Sequence, residues 1–176
     1  MDSQANTRCT AEALWRFSLA LYARPHVAAA LLSLQDRANV NLMLFALWLG
    51  AVQHRRFDAE ALTTAAAIIA PVDEPIVRPL RALRRRLKAS GDSDIQSLRR
   101  RAGALELAAE RAVLARLAAE IADRVGAMAA DNDDGLTLAI GNLALMLGSA
   151  AGSPEALALS QALADLVRGR SSSSRN

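Results

Sequence analysis

The sequence predicts an all-α fold, a single-domain bundle of about seven or eight helices around one fully buried central helix. Three observations carry that expectation. Apolar residues make up 52% of the chain but aromatics only 3%, so alanine and leucine, the strongest helix formers, supply the apolar mass. No stretch of useful length alternates apolar with polar residues, as a half-buried strand would. The run Leu42–Leu49 is eight apolar residues without a break, including Phe45 and Trp48. A helix with no polar face has to be enclosed on every side, and this run is well short of the roughly 20 residues needed to cross a bilayer. At 176 residues the chain is long enough to bury such a helix within one domain.

Residues 1–9 read as a disordered lead-in, 10–169 as the bundle and 170–176 as a disordered Ser/Arg tail. Thr10 is placed to cap a first helix over about Ala11 to Ala23, with Leu14, Phe17 and Leu21 in one apolar row and Trp15, Leu19 and Tyr22 in the next. Pro25 ends that helix and opens a second, whose stripe is Val27, Leu31 and Leu34. A tight turn at Ala38 and Asn39 leads into the central helix, Val40 to Arg55, with Asn39 or Asn41 as its cap. Asp58 caps a fourth helix that stops before Pro71. Asp73 and Glu74 begin a fifth, with Ile76, Leu80, Leu83 and Leu87 as its core stripe and Pro79 delaying or kinking its start. Ser93 with Gln96 reads as a capping box for a long helix reaching about Ala130, bent or broken near Gly103 or Gly126. A seventh helix, Leu136 to Ser149, carries Leu136, Ile140, Leu143 and Leu147 toward the core, and Gly141, Ala144 and Gly148 would let another helix come close. Ser153 and Pro154 start a last helix ending at Gly169.

Within this pattern lie Trp-x-Phe-Ser-Leu at Trp15, Phe17, Ser18 and Leu19, Leu-Tyr-x-x-Pro at Leu21, Tyr22 and Pro25, and Leu-Gln-Asp at Leu34, Gln35 and Asp36. Val-Asn-Leu follows at Val40, Asn41 and Leu42, and the series ends with Phe45, Leu47 and Trp48. Together with APVDEPIVRPLRALRRRLK, this resembles a "domain of unknown function" family of small proteobacterial proteins over roughly residues 12 to 120. The resemblance implies an all-helical fold and no activity. Two positions depart from it: His26 stands where the family has glycine, and the turn before Val40 is shorter.

The strongest chemical feature is charge. Between Arg78 and Arg101 nine basic residues face only Asp92 and Asp94, although the whole chain carries +3. Arg78, Arg81, Arg85 and Lys88 fall opposite the leucine stripe when successive residues turn by about 100°, so core packing should not need them. With Arg84, Arg99 and Arg100 they form a candidate surface for an acidic protein. Nucleic acid or anionic lipid stands behind that reading, because no aromatic lies between Arg78 and Arg101 to stack on bases. A non-enzymatic interaction or regulatory protein is the leading functional expectation. The rival is a small-ligand binder or enzyme using a polar pocket near Tyr22, Gln35, Asp36 and Asn41, where a partly buried Asp36 would need partners; Asn142, inside an apolar helix, poses the same question.

No catalytic, metal or cofactor constellation is expected. His26 and His54 are remote from each other and lack cysteine or carboxylate neighbours at ligand spacing. Placing Gly135 at the sixth position of a calcium loop puts Ala130 and Gly141 at its ends, where acidic ligands are required. Glu106 and Glu110 are one turn apart, but no Glu-x-x-His pairs accompany them. One cysteine, Cys9, and an N-terminus without a signal-type apolar core lead to the expectation of a reduced, cytoplasmic setting with no transmembrane segment.

Overall fold

In the computed structural model, residues 2–121 and 134–173 are described, with side chains over 10–121 and 134–169. Among them are eight α-helices and no strand. They are α1 (Asp2–Tyr22), α2 (Val27–Leu34), α3 (Val40–Ala51), α4 (Ala59–Val72), α5 (Arg78–Arg86), α6 (Ser93–Glu120), α7 (Gly135–Leu147) and α8 (Pro154–Ser173). The side chain of Cys9, Gly126, the helical stretch to Ala130, most of the Asp131–Gly135 loop and residues 174–176 of the Ser/Arg tail lie outside the described residues, while α8 runs past Gly169 to Ser173.

At the centre is α3. Every residue from Val40 to Gly50 is buried, and Ala51 is half-buried. Asn39 is the cap, its side chain accepting from the backbone N–H groups of Asn41 and Leu42. The helix ends at Ala51 rather than Arg55, because His54 takes a left-handed conformation (φ 52°) that turns the chain back and lets the Arg55 N–H reach the Leu49 carbonyl. Phe45 lies 6.0 Å from both Trp48 and Phe57, tying the following loop to the same core.

Around α3, α7 runs closest, α1 and α6 pair, α2 lies on α8, and α5 folds back on α6. The α3–α7 contact is made backbone to backbone. A methyl on Gly50 would overlap the Ala139 backbone and come within 2.7 Å of the Leu138 carbonyl carbon. This replaces the small-residue contact expected at Gly141 and Gly148, whose surroundings are open. Accordingly, α7 buries Leu138, Ala139, Leu143 and Leu147, while Ile140 is exposed. Among the described residues, Gly135–Gly152 is the one stretch long and apolar enough by composition to cross a membrane; Thr10–Tyr22 and Val27–Leu34 meet that test only if joined across a 104° bend.

The largest departure from expectation lies between α4 and α5. The chain does not stop at Pro71 but continues through a π-helical turn, Asp73–Val77, in which the Arg78 N–H bonds to the Asp73 carbonyl. Pro71, Pro75 and Pro79 are spaced four apart. Each withholds an N–H and crowds the carbonyl four residues earlier, and the wider turn accommodates this. One added residue advances the helix phase by about 100°. The inward series of α4, Ala65, Ile69 and Val72, therefore continues not into Ile76 and Leu83 but into Val77, Arg81 and Arg84, with Leu80 half-buried beside them. Ile76 and Leu83 are exposed, which corrects the leucine stripe at those two positions; Leu80 and Leu87 are half-buried, and α5 buries none of its residues fully.

Three smaller corrections follow local geometry. The first helix starts at Asp2, so Thr10 is not its cap. Asp92, not Ser93, caps α6, and Gln96 donates instead to the Leu87 and Ser90 carbonyls. The α6 helix passes through Gly103 unbroken for 28 residues, about 42 Å at 1.5 Å per residue.

Replacing Gly50 by alanine should cost about 1–3 kcal/mol through overpacking, read as a lower urea midpoint at unchanged slope. His26, at φ 66°, occupies a left-handed position that disfavours side chains. His26→Gly should raise stability by up to about 1 kcal/mol in the same experiment.

Candidate functional site

The site is organised by the charged face that the π-turn brings inward. On α6, Glu106 and Glu110 stand one turn apart, and both meet α5. Arg81 donates Nε to Glu106 Oε1 (3.0 Å) and Nη2 to Glu110 Oε1 (2.5 Å). Arg84 donates Nε to Glu106 Oε2 (2.5 Å) and Nη2 to Oε1 (3.2 Å). The side chains of Glu106 and Arg81 are only 6% and 16% exposed, so that pair is largely desolvated, while Arg84 reaches Glu106 from a more open position. Burial opposes the charge on Glu106, but the hydrogen bonds from Arg84 and Arg81 outweigh it and hold that carboxyl below the ordinary glutamate range. Burial pushes the Glu110 carboxyl up, and the attraction of Arg81 only partly offsets it. Burial and then the nearby Glu110 charge raise the Tyr22 phenol.

This network forms one wall of a cavity of about 360 Å³ between α1, α3, α5 and α6. The other walls are apolar: Trp15 and Leu19 from α1, Leu32 from α2, Val40 and Leu44 from α3, and Leu107 and Leu114 from α6. Leu19, Tyr22, Leu32 and Leu107 are between 39% and 49% exposed. The second apolar row expected on α1 thus opens onto a cavity instead of closing the core. Arg111 braces one end, stacked 5.5 Å from the Trp15 ring and bonded to Glu12. Asn41, 3% exposed, lines the cavity, and its Nδ2 has no acceptor among the described residues. The hydroxyl of Ser18 donates back to the Leu14 carbonyl, so it is not poised against a base.

The sequence-level candidates are distributed unevenly. Tyr22 and Asn41 share the cavity with Arg81 and Arg84. Gln35 and Asp36 line a separate groove with Arg78 and Arg85. Asp36 is exposed and makes no bond to Arg24, Arg37 or Tyr22, which corrects the partly buried carboxylate expected there. Arg85 donates to Gln35 (2.7 Å), Arg99 to Gln96 (3.4 Å), and Lys88 and Arg100 are exposed. Arg81 and Arg84 are therefore needed internally, contrary to the view that the basic face lies wholly outside the packing. Asn142 belongs to neither site. It donates to the Ala46 and Arg55 carbonyls (3.1 and 3.0 Å) and accepts from the Phe57 N–H (2.7 Å), a fully satisfied structural pin. Glu106 and Glu110 are not among the sequence-level site candidates. Their signal was complementary spacing, two glutamates four apart and two arginines three apart on neighbouring helices.

Residues 13–117, more than half of the chain, match the family model described as "Protein of unknown function (DUF2390)", and the chain belongs to that family. No curated protein matches, and no solved structure does.

Glu106→Gln leaves Arg84 without a counter-charge and Arg81 with Glu110 alone, and should cost about 1.5–3 kcal/mol at neutral pH. Because the folded-state pKa of Glu106 lies below its ordinary 4.5, its contribution is complete above that value and is lost as pH falls through the folded pKa. Glu110, shifted upward, acts with the opposite sign: its ionisation opposes folding above its own folded pKa. The stability gap between the parent and Glu106→Gln should therefore narrow below pH 4.5, measured by urea unfolding across pH.

Proposed function

We propose that this member of the family is a small-molecule-binding protein, and that its ligand is a neutral, largely apolar compound bearing a hydrogen-bond acceptor. The observation that supports this reading is the cavity of about 360 Å³ that opens through an apolar mouth and is closed on one side by an internally neutralised charge network. Its size falls within the roughly 300–1,000 Å³ of small-molecule sites, which combine apolar walls with a few convergent polar groups. Two arginines are matched by two glutamates, so a charged ligand would have to compete with established pairs. A neutral acceptor such as an amide carbonyl would meet the unpartnered Asn41 Nδ2, and its apolar body would cover Leu19, Leu32 and Leu107, whose clustering at one opening favours an interaction site over chance exposure.

The alternative, an acidic partner held by the basic helix, retains only the outward residues such as Arg85, Lys88 and Arg100, since Arg81 and Arg84 are occupied. It is the lesser reading on that ground.

Calorimetric titration with a neutral medium-chain amide such as octanamide tests the proposal. Saturable one-to-one binding is expected. Leu19→Glu, at the exposed rim, should keep the melting temperature and bind about tenfold more weakly, a difference of about 1.4 kcal/mol. Absence of saturable binding by the parent chain, or equal affinity in the variant, would remove the cavity from consideration.

A further inference from the structure

A second concavity lies on the other side of Arg81 and Val40, which form part of the walls of both. It has a volume of about 500 Å³ and runs between the α2–α3 turn and α5. Unlike the first, it is polar. Asp73, whose side chain is 3% exposed, contributes to its lining. Its Oδ2 accepts from Arg78 Nε at 2.8 Å, while its Oδ1 has no partner among the described residues. Asp73 is the first residue of the π-helical turn, so the backbone feature that rotates α5 also sets this carboxylate. Such turns recur at functional sites, and a buried acceptor left unpaired is costly.

The surrounding charges narrow the chemistry. Arg78 and Arg85, two turns apart on α5, and Arg37 in the α2–α3 turn all line the groove and are exposed, against one exposed carboxylate, Asp36. Arg85 makes its side-chain bond to the neutral Gln35, so its charge is not matched there. The charge of Asp73 is already met by Arg78, and its second oxygen therefore calls for a neutral donor, a hydroxyl, rather than a second cation. We propose that this groove binds a small hydroxylated oxyanion, with the anionic group on Arg85 and on the exposed end of Arg78, whose Nε alone is bonded to Asp73, and with the hydroxyl donating to Asp73 Oδ1. The oxyanion is a carboxylate or a phosphate ester. The three contact residues, Asp73, Arg78 and Arg85, do not line the apolar cavity, and the proposal does not depend on that cavity being filled.

The test is calorimetric titration of the full chain with two pairs of probes: glycerate against propionate, and glycerol phosphate against inorganic phosphate. The hydroxylated member of at least one pair should bind about tenfold more tightly than its partner, and the pair showing this identifies the oxyanion. Arg85→Gln, an exposed substitution, should weaken the tighter probe about tenfold without lowering the melting temperature. Asp73→Ala should abolish the hydroxyl preference and keep residual anion binding; if that buried substitution does not fold, the probe pairs and Arg85→Gln decide alone. Equal binding within both pairs, no binding of any probe, or unchanged affinity in Arg85→Gln would overturn the proposal. Octanamide binding to the parent chain would be unaffected by any of these results, so the two sites stand or fall separately.

Discussion

The fold rests on one constraint: α3 has no side that can face water. Eleven consecutive buried residues oblige the chain to supply neighbours all around, and the closest of them, α7, has to come within backbone contact at Gly50. At that distance side chains no longer keep the helices apart, so dispersion contacts extend along both backbones. Asn142 pins the loop after α3 from within α7: a single amide donates to the Arg55 carbonyl and to the Ala46 carbonyl of α3 and accepts from the Phe57 N–H. An apolar run and one buried asparagine are thus parts of the same solution.

The charged wall has a different logic. A buried ion pair seldom stabilises a fold more than well-packed apolar side chains would, because desolvation cancels much of the attraction. Its retention between α5 and α6 is better understood through what it prevents. With Arg81 and Arg84 bonded to Glu106 and Glu110, the space beside them cannot be filled by collapsing leucines, and the polar groups remain fixed along one side. Leu19, Tyr22 and Leu107, which would otherwise complete a core, are left around an opening. Charge pairing here holds a cavity wall in place, and the neighbouring polar groove borrows part of the same wall.

Much of the fold was legible because it is written locally. The enclosure of α3 is visible in its own residues, the caps Asn39 and Asp58 sit at the positions their side chains suit, and the Val27, Leu31 and Leu34 stripe needs no distant information. What escaped was non-local or out of phase. Nothing near Gly50 announces that Ala139 will lie against it, whereas Gly141 and Gly148 suggest a close contact they do not make. The pairing of Glu106 and Glu110 with arginines more than twenty residues earlier depends on how α5 is rotated. That rotation contradicts the most regular pattern in the segment, since Ala65, Ile69, Val72, Ile76, Leu80, Leu83 and Leu87 would form one continuous stripe in an uninterrupted α-helix. Of the candidate site, Tyr22, Asn41 and Arg81 were identified individually, but their shared cavity was not. Asp36 departs from the expected burial because a turn between apolar helices need not itself be buried.

The π-helical turn also bears on how such a protein can drift in sequence. The inward orientation of Arg81 and Arg84 is not chosen by those side chains competing with leucines for the interior; it follows from three prolines that cannot donate. Orientation is encoded in missing backbone hydrogens, separately from the residues being oriented. Surface leucines and arginines on α5 are then free to vary without renegotiating which way the helix points. The few atoms that set that direction tolerate little change, because restoring any one N–H would favour the alternative winding. The segment behaves like a message whose reading frame is stored apart from its letters.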